Sequence, residues 1–181
     1  MNLQSMVPRL GDVLTGMRGK RIVVTGDILA DEYVYGETAR VSREAPVLIL
    51  RRLGSRVIPG GAGNAVLNVR ALGGVPVPVA VLGEGEMADR LQEAFQERGI
   101  EASSLVVESD ARTVRKTRIM AGGPHGQKQQ VLRLDDEEAL PLTERIEGIL
   151  LDRLSEALRT ADGVLLSDYG YGTLTPRVRA A

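Results

Sequence analysis

Two aspartates four residues apart, Asp27 and Asp31, follow the apolar run Ile22-Val23-Val24 and the glycine Gly26. A carboxylate just past the end of a strand stands where open parallel sheets bind ligands. It can accept hydrogen bonds from two neighbouring hydroxyls, which suits a polyol. Asp31 is the candidate for that role, whereas Asp27 is equally compatible with it or with a turn or capping position. Farther on, Pro59-Gly60-Gly61-Ala62-Gly63-Asn64 opens an apolar helical pattern. Gly60 and Gly61 let backbone amides approach a ligand at a helix start, where free N–H groups and the helix dipole favour oxygen acceptors. Asn64, one turn later, adds an amide that both donates and accepts.

A second cluster is cationic. Residues two apart on a strand share a face, so Lys116 and Arg118 point the same way, as do Gln129, Val131 and Arg133. Two neighbouring strands would then present several cations to a phosphate. The competing reading is a solvated strand face whose ion pairs are worth ~0–1 kcal/mol each. Asp168 closes a later apolar run, in Ser167-Asp168-Tyr169-Gly170. The single histidine, His125, lies in a polar glycine-rich loop and reads as a solvated residue. Gly83-Glu84-Gly85 lacks the third glycine of a nucleotide loop and reads as a helix-entry turn.

The elements that must hold these residues alternate between short apolar runs and amphipathic stretches, the mark of βαβ units and a mostly parallel sheet. Strands are expected at residues 21–26, 75–82, 104–107, 113–121, 129–134 and 162–167. Helices are expected from Ala62 to the Gly73-Gly74 stop, around Met87, Leu91, Ala94 and Phe95, and from about Thr143. A short helix leads the chain. Residues 33–53 are strand-like, with turn signals at Gly36 and Pro46, and read as a small β flap that closes over a ligand and excludes water.

Composition excludes several functions. The chain has 181 residues, 43% hydrophobic, with 23 Lys+Arg against 24 Asp+Glu. Such a chain can bury one sizeable core, and its balanced charge gives no general attraction to nucleic acid or to an anionic membrane. With no Cys, disulfides, thiolate metal sites and a Cys nucleophile are ruled out, which fits a cytoplasmic location. No apolar run approaches the ~20 residues of a spanning helix.

Taken together, the Asp31 loop, the Gly60-Gly61 and Asn64 segment and the Ala71-Leu72-Gly73 helix end resemble the ribokinase-like carbohydrate kinases over about residues 20–172. The Lys116-x-Arg118 strand followed by Gln129-Gln130-x-x-Arg133-x-Asp135 is similar to the heptose 7-phosphate kinase branch of that family. So is the flap pattern carried by Tyr33, Tyr35, Gly36, Thr38, Arg40, Ser42, Glu44, Ala45 and Pro46, together with the strand end at Asp168. One position departs: Tyr171 stands where the branch usually has Lys.

The resemblance implies an α/β fold with a mostly parallel sheet flanked by helices and a projecting flap, the carboxy-terminal half being absent. It implies substrate contacts at Asp31, Gly60, Gly61, Asn64, Lys116, Arg118, Gln130, Arg133 and Asp168. The implied reaction transfers the ATP γ-phosphoryl group, with Mg, to the anomeric hydroxyl of a heptose 7-phosphate, on the way to ADP-heptose and lipopolysaccharide. A homodimer through the flap is implied as well. The family's base sits in a Gly-Ala-Gly-Asp anion hole; Gly61-Ala62-Gly63-Asn64 ends in an amide, which cannot take a proton, and matches the sugar motif instead. No catalytic residue is therefore assigned within the chain, and the base is expected beyond Ala181. The expectation is the amino-terminal part of one kinase domain, inactive alone, with ATP and Mg serving the parent. The alternatives are another sugar or nucleoside kinase of the family, or a noncatalytic sugar-phosphate-binding or dimerising module.

Overall fold

The computed structural model describes residues 3–123, 126–137 and 142–181, with side chains from Leu10 onward. His125 lies outside the described residues. Helix α1 (Leu3–Gly16) leads into strand β1 (Arg21–Gly26), the middle of three parallel strands between β4 (Val75–Val79) and β9 (Gly163–Ser167). Alternation along β1 divides the core. Val24 packs with Val66, Leu82, Leu91 and Phe95 on one side, and Val23 with Val77, Ile146, Leu150 and Leu154 on the other. The first side is covered by helices α2 (Ala62–Ala71) and α3 (Glu86–Gln96), the second by α4 (Glu144–Leu158). Thr143 caps α4, its side chain accepting from Ile146 N–H at 3.3 Å. Thr175 does the same for α5 (Pro176–Ala180), accepting from Val178 N–H at 3.2 Å. Ala181 stands exposed at the carboxy-terminal cap of α5.

The expected strand over residues 75–82 is two strands. β4 pairs with β1, while β5 (Val81–Gly83) turns away after Ala80 to pair in parallel with β6 (Val106–Glu108). Prolines explain the edge position of β4. Val75 N–H donates to Lys20 O at 2.8 Å, so the alternate positions, Pro76 and Pro78, fall where a donor would face the open side of the sheet.

A second sheet of four strands carries the candidate site, in the order β3-β2-β7-β8. Strands β2 (Ile28–Val41) and β3 (Leu48–Gly61) form a long antiparallel hairpin around Pro46. β7 (Arg115–Gly122) runs parallel to β2, and β8 (Gln129–Asp136) antiparallel to β7. Gly36 is not a turn, as its type indicated. It lies inside β2 beside a register shift, where a Cβ would approach the Leu50 Cβ to 3.1 Å. A glycine within a strand marks a bulge or a close approach as readily as a turn, and here it marks both of the former.

Candidate functional site

Registry across the four-stranded sheet decides which side chains share a surface, because residues paired between neighbouring strands point to the same face. Asp31 on β2 pairs with Lys116 on β7, and Tyr33 pairs with Arg118. Across to β8, Lys116 pairs with Asp135, Arg118 with Arg133 and Met120 with Gln130. On the opposite flank Gly60 of β3 pairs with Leu29, two residues before Asp31. Six of the nine candidate residues, Gly60, Asp31, Lys116, Arg118, Gln130 and Arg133, therefore lie on one face.

Simple alternation on β8 gave a different grouping, with Gln129 beside Arg133. A register shift between Ile119 and Met120 leaves Val131 unpaired and resets the alternation, so Gln130 joins Arg133 and Gln129 turns to the other face. One extra residue reverses the faces on its far side.

Asp31 is held from two directions. The Arg118 guanidinium donates to Asp31 Oδ1 at 2.5 Å while lying 5.3 Å from the centre of the Tyr33 ring. Gly60 makes room for the carboxylate, since a Cβ there would sit 2.5 Å from Asp31 Oδ2. The carboxylate stays 24% exposed, and its unused lone pairs are open to hydroxyl donors.

The cations of this face are not waiting for an anion. Arg118 is paired with Asp31, Arg133 Nε donates to Asp135 Oδ1 at 2.8 Å, and Lys116 Nζ lies 2.7 Å from Glu137 Oε1. Three positive groups meet three carboxylates, so the cations expected to face a phosphate stand in a row of internal ion pairs. Glu137 also accepts from the Tyr171 hydroxyl at 2.7 Å, and Lys116 stands 5.7 Å over the Tyr171 ring. The hydrogen bond from Lys116 holds the Glu137 carboxyl below its ordinary pKa, and the same bond raises the Lys116 ammonium. Burial, then the Glu137 carboxylate, pushes the Tyr171 phenol up.

The remaining candidates sit around this face. Gly61 is the residue before α2, with φ +58°, a left-handed conformation that glycine adopts without strain. The first amide of α2, Ala62 N–H, is already donated to Asp27 O at 2.8 Å, and no side chain caps the helix start. Asn64 stands exposed in the first turn. Asp168 follows β9, where its carboxylate accepts from Gly170 N–H at 2.9 Å and pairs with Arg179 at 2.6 Å. Both bonds draw it toward its own loop and α5. Tyr171, from that loop, is the side chain that reaches the sheet face.

Asp27 resolves into an architectural role. It is 2% exposed, and its two oxygens accept from the backbone N–H groups of Tyr169 at 2.9 Å, Tyr171 at 3.0 Å and Thr173 at 3.0 Å. One carboxylate just past the first strand thus fixes the loop 168–173, some 140 residues later in sequence. No local pattern around Asp27 announces those donors. Glu137 was missed as well, and its only signal was position, one residue past a strand that already carried Arg133 and Asp135.

A broad cleft lies elsewhere on the sheet. It holds about 750 Å³ between the Gly83-Glu84-Gly85 turn, residues 111–113 and the end of β8, and none of the nine candidates lines it. It meets the candidate face at Asp135 and Glu137. A far smaller space, about 30 Å³, lies beside Asp27, Leu29, Tyr171 and Thr173. Among the described residues no cluster of His, Cys, Asp and Glu is arranged to hold a metal ion, and no helix is long and apolar enough to cross a membrane.

Comparison with known proteins shows what the chain is similar to. No family model matches the chain. The bifunctional protein HldE of Gluconobacter oxydans is 36% identical over 170 residues, covering 93% of this chain and 34% of that protein. HldE of Trichlorobacter lovleyi is 39% identical over 161 residues, covering 89% of the chain and 32% of its own length. The chain spans about a third of the length of the curated relatives it matches. Among solved structures, a carbohydrate kinase from Agrobacterium tumefaciens shares the fold at a TM-score of 0.56 and 21% identity, over 81% of this chain and 45% of that one. Arabidopsis thaliana ribokinase, complexed with ribose and ATP, does so at a TM-score of 0.50 and 18% identity, over 82% of this chain and 45% of that one. The chain thus has the ribokinase-like fold of these solved carbohydrate kinases, and its sequence is similar to HldE over about nine-tenths of its own length.

Proposed function

We propose that this chain is the sugar-binding part of an ATP-dependent carbohydrate kinase, and that the whole enzyme phosphorylates the anomeric hydroxyl of a heptose 7-phosphate. The observation that carries the reading is the Asp31 carboxylate, wedged against Gly60 and paired with Arg118 on a face next to the uncapped start of α2. Adjacent sugar hydroxyls donate to Asp31, while the Arg118 guanidinium and free α2 amides donate to sugar oxygens. Asn64 adds a contact from the helix. Such a constellation orients the acceptor hydroxyl, the positioning on which phosphoryl transfer depends.

The whole of residues 1–181 is read as one unit, with residues 33–53 as its flap. No residue up to Ala181 is assigned as base: Gly61-Ala62-Gly63-Asn64 belongs to the β3–α2 junction and ends in an amide. ATP and Mg would be handled by parts of the enzyme that this chain does not supply, so the chain alone is expected to bind sugar without turning over ATP. The product would serve synthesis of ADP-heptose and of lipopolysaccharide in the cytoplasm. A second copy is the expected partner. Leu132, Ile119 and Val34 form a row on the other face of the four-stranded sheet, and Val41 and Leu48 pair at the hairpin end, with Leu132, Val41 and Leu48 at least half exposed. Covering that apolar surface is the gain a homodimer would make.

Calorimetry with heptose 7-phosphate, ribose and fructose 6-phosphate tests the assignment. Preference for the heptose is the expected result; equal or absent binding of all three overturns it. ATP turnover by the purified chain would overturn the division of labour.

A further inference from the structure

At one end of the candidate face Lys116, Glu137 and Tyr171 converge on a single oxygen. Glu137 Oε1 receives Lys116 Nζ at 2.7 Å and the Tyr171 hydroxyl at 2.7 Å. One ammonium and one neutral O–H are the donors a phosphate oxygen would need at this place, and a carboxylate already occupies them. We propose that Glu137 is a resident counter-ion, and that an anionic ligand group binds here by displacing it from Lys116 and Tyr171. This deepens the sugar-phosphate reading above and rests on it.

The three ion pairs of the face differ in how easily they can exchange. Asp31 is confined by Gly60, and its Arg118 partner lies against Tyr33. Arg133 and Asp135 sit two residues apart on one strand, so neither travels far. Glu137 lies one residue past the end of β8, with its side chain 42% exposed against 20% for Lys116. It also borders the cleft of about 750 Å³, whose wall includes Arg112 and Arg115. The carboxylate has space to move into, whereas the donors it would leave stay in place. Tyr171 is positioned by backbone, its N–H donated to the buried Asp27 carboxylate at 3.0 Å. Lys116 is fixed within β7 between β2 and β8.

The chemistry fits Tyr171 in the position where a Lys stands in the resembled kinases. A phenol carries no charge at neutral pH, and burial with the neighbouring carboxylate keeps its proton on. Lys116 is thus the one cation bonded to Glu137, and a single carboxylate suffices to balance it. Exchange of that carboxylate for a phosphate oxygen trades one pair of charge-assisted bonds for another, so selectivity is set by how firmly Glu137 holds on.

Calorimetric titration of the full chain with inorganic phosphate tests this, using Glu137→Gln, Lys116→Gln and the double variant, with thermal melts to verify folding. Glu137→Gln should bind phosphate about threefold to tenfold tighter, the range expected when a partly exposed ion pair no longer competes and one like charge is gone. Lys116→Gln should lose binding, and the gain should vanish when Glu137→Gln is made in that background. Unchanged or weaker binding by Glu137→Gln overturns the proposal. So does a gain that survives without Lys116, which would be a long-range charge effect. Ribose, a neutral sugar, reads the other subsite separately, since its affinity should follow Asp31 and ignore Glu137. A chain that shows the phosphate gain but binds no sugar defeats the functional reading alone; one that binds sugar without the gain defeats the counter-ion alone.

Discussion

Asp27 and Asp31 are the same residue type, four positions apart, yet they serve two regions built on different principles. Asp27 is sealed at the end of the three-stranded sheet and spends both oxygens on three backbone amides of the loop 168–173. Asp31, on the four-stranded sheet, is part-exposed and holds one side-chain guanidinium. Backbone donors cannot leave without unfolding the loop, whereas a guanidinium can share or exchange its partner. The first region is architecture and the second is a surface fit for a ligand. Burial and partner type separate the two roles where sequence position could not.

Removing Asp27 should break the architectural region and have the largest effect. Asp27→Ala takes the shared acceptor from three backbone amides and empties the buried position that anchors the loop, and stability should fall by at least about 3 kcal/mol. Urea unfolding of the variant measures this. A loss under about 1 kcal/mol would mean that the loop stands without its anchor.

Asp31→Ala probes the other side of the comparison. Sugar affinity should weaken by about 1–3 kcal/mol, the usual consequence of leaving partners of a charged hydrogen bond unpaired, while unfolding free energy moves by less than about 1 kcal/mol. Equal damage to both quantities would erase the distinction between the regions. Unchanged sugar affinity would remove Asp31 from the site.

Much of this division was legible in the sequence, but unevenly. The apolar runs Ile22-Val23-Val24 and Val75 to Leu82, the glycine stops and the apolar stripe of α4 pointed to the parallel layer because periodicity reports on burial. Of the nine candidate residues, Asp31, Gly60, Lys116, Arg118, Gln130 and Arg133 come from four separate strands and reach one face, a grouping that alternation within each strand could only suggest. What escaped were the pairings. The bulge at Val131 has no compositional mark, and the three donors to Asp27 lie on a loop that only the tertiary fold brings near. Ion-pair partners such as Glu137 are likewise decided by strand registry, and alternation alone cannot report a register shift.

Gly60→Ala is a finer cut at the same boundary. The added Cβ would lie 2.5 Å from Asp31 Oδ2 and 3.5 Å from the Leu29 Cβ, so the side chain that must move is the carboxylate itself. Gly60 has no positive φ that alanine would strain. Stability should therefore change by under about 1 kcal/mol. Sugar affinity should still drop, by roughly threefold to tenfold, as the carboxylate rotates off its position. Binding equal to wild type would show that the placement of Asp31 is not what the ligand reads.

The smallest effect belongs to Asp162, which ties the starts of the outer and middle strands on the exposed rim of the architectural sheet. Its Oδ1 pairs with Lys20 Nζ at 2.9 Å, and Oδ2 accepts from Arg21 N–H at 2.8 Å. The Lys20 hydrogen bond first, and the Arg21 amide second, hold its carboxyl below the ordinary aspartate value. A carboxyl whose folded pKa lies below its unfolded one adds stability above the unfolded value and loses it as pH falls through the folded one. Asp162→Asn keeps an acceptor for Arg21 but removes the charge. The melting temperatures of the two proteins should differ slightly near pH 7 and converge as the pH drops below the normal carboxylate range. Added salt should shrink the same difference, because both partners of the pair face solvent. A gap that persists at low pH and high salt would trace instead to the amide's geometry at Arg21, placing the rim under the same backbone control as the loop held by Asp27.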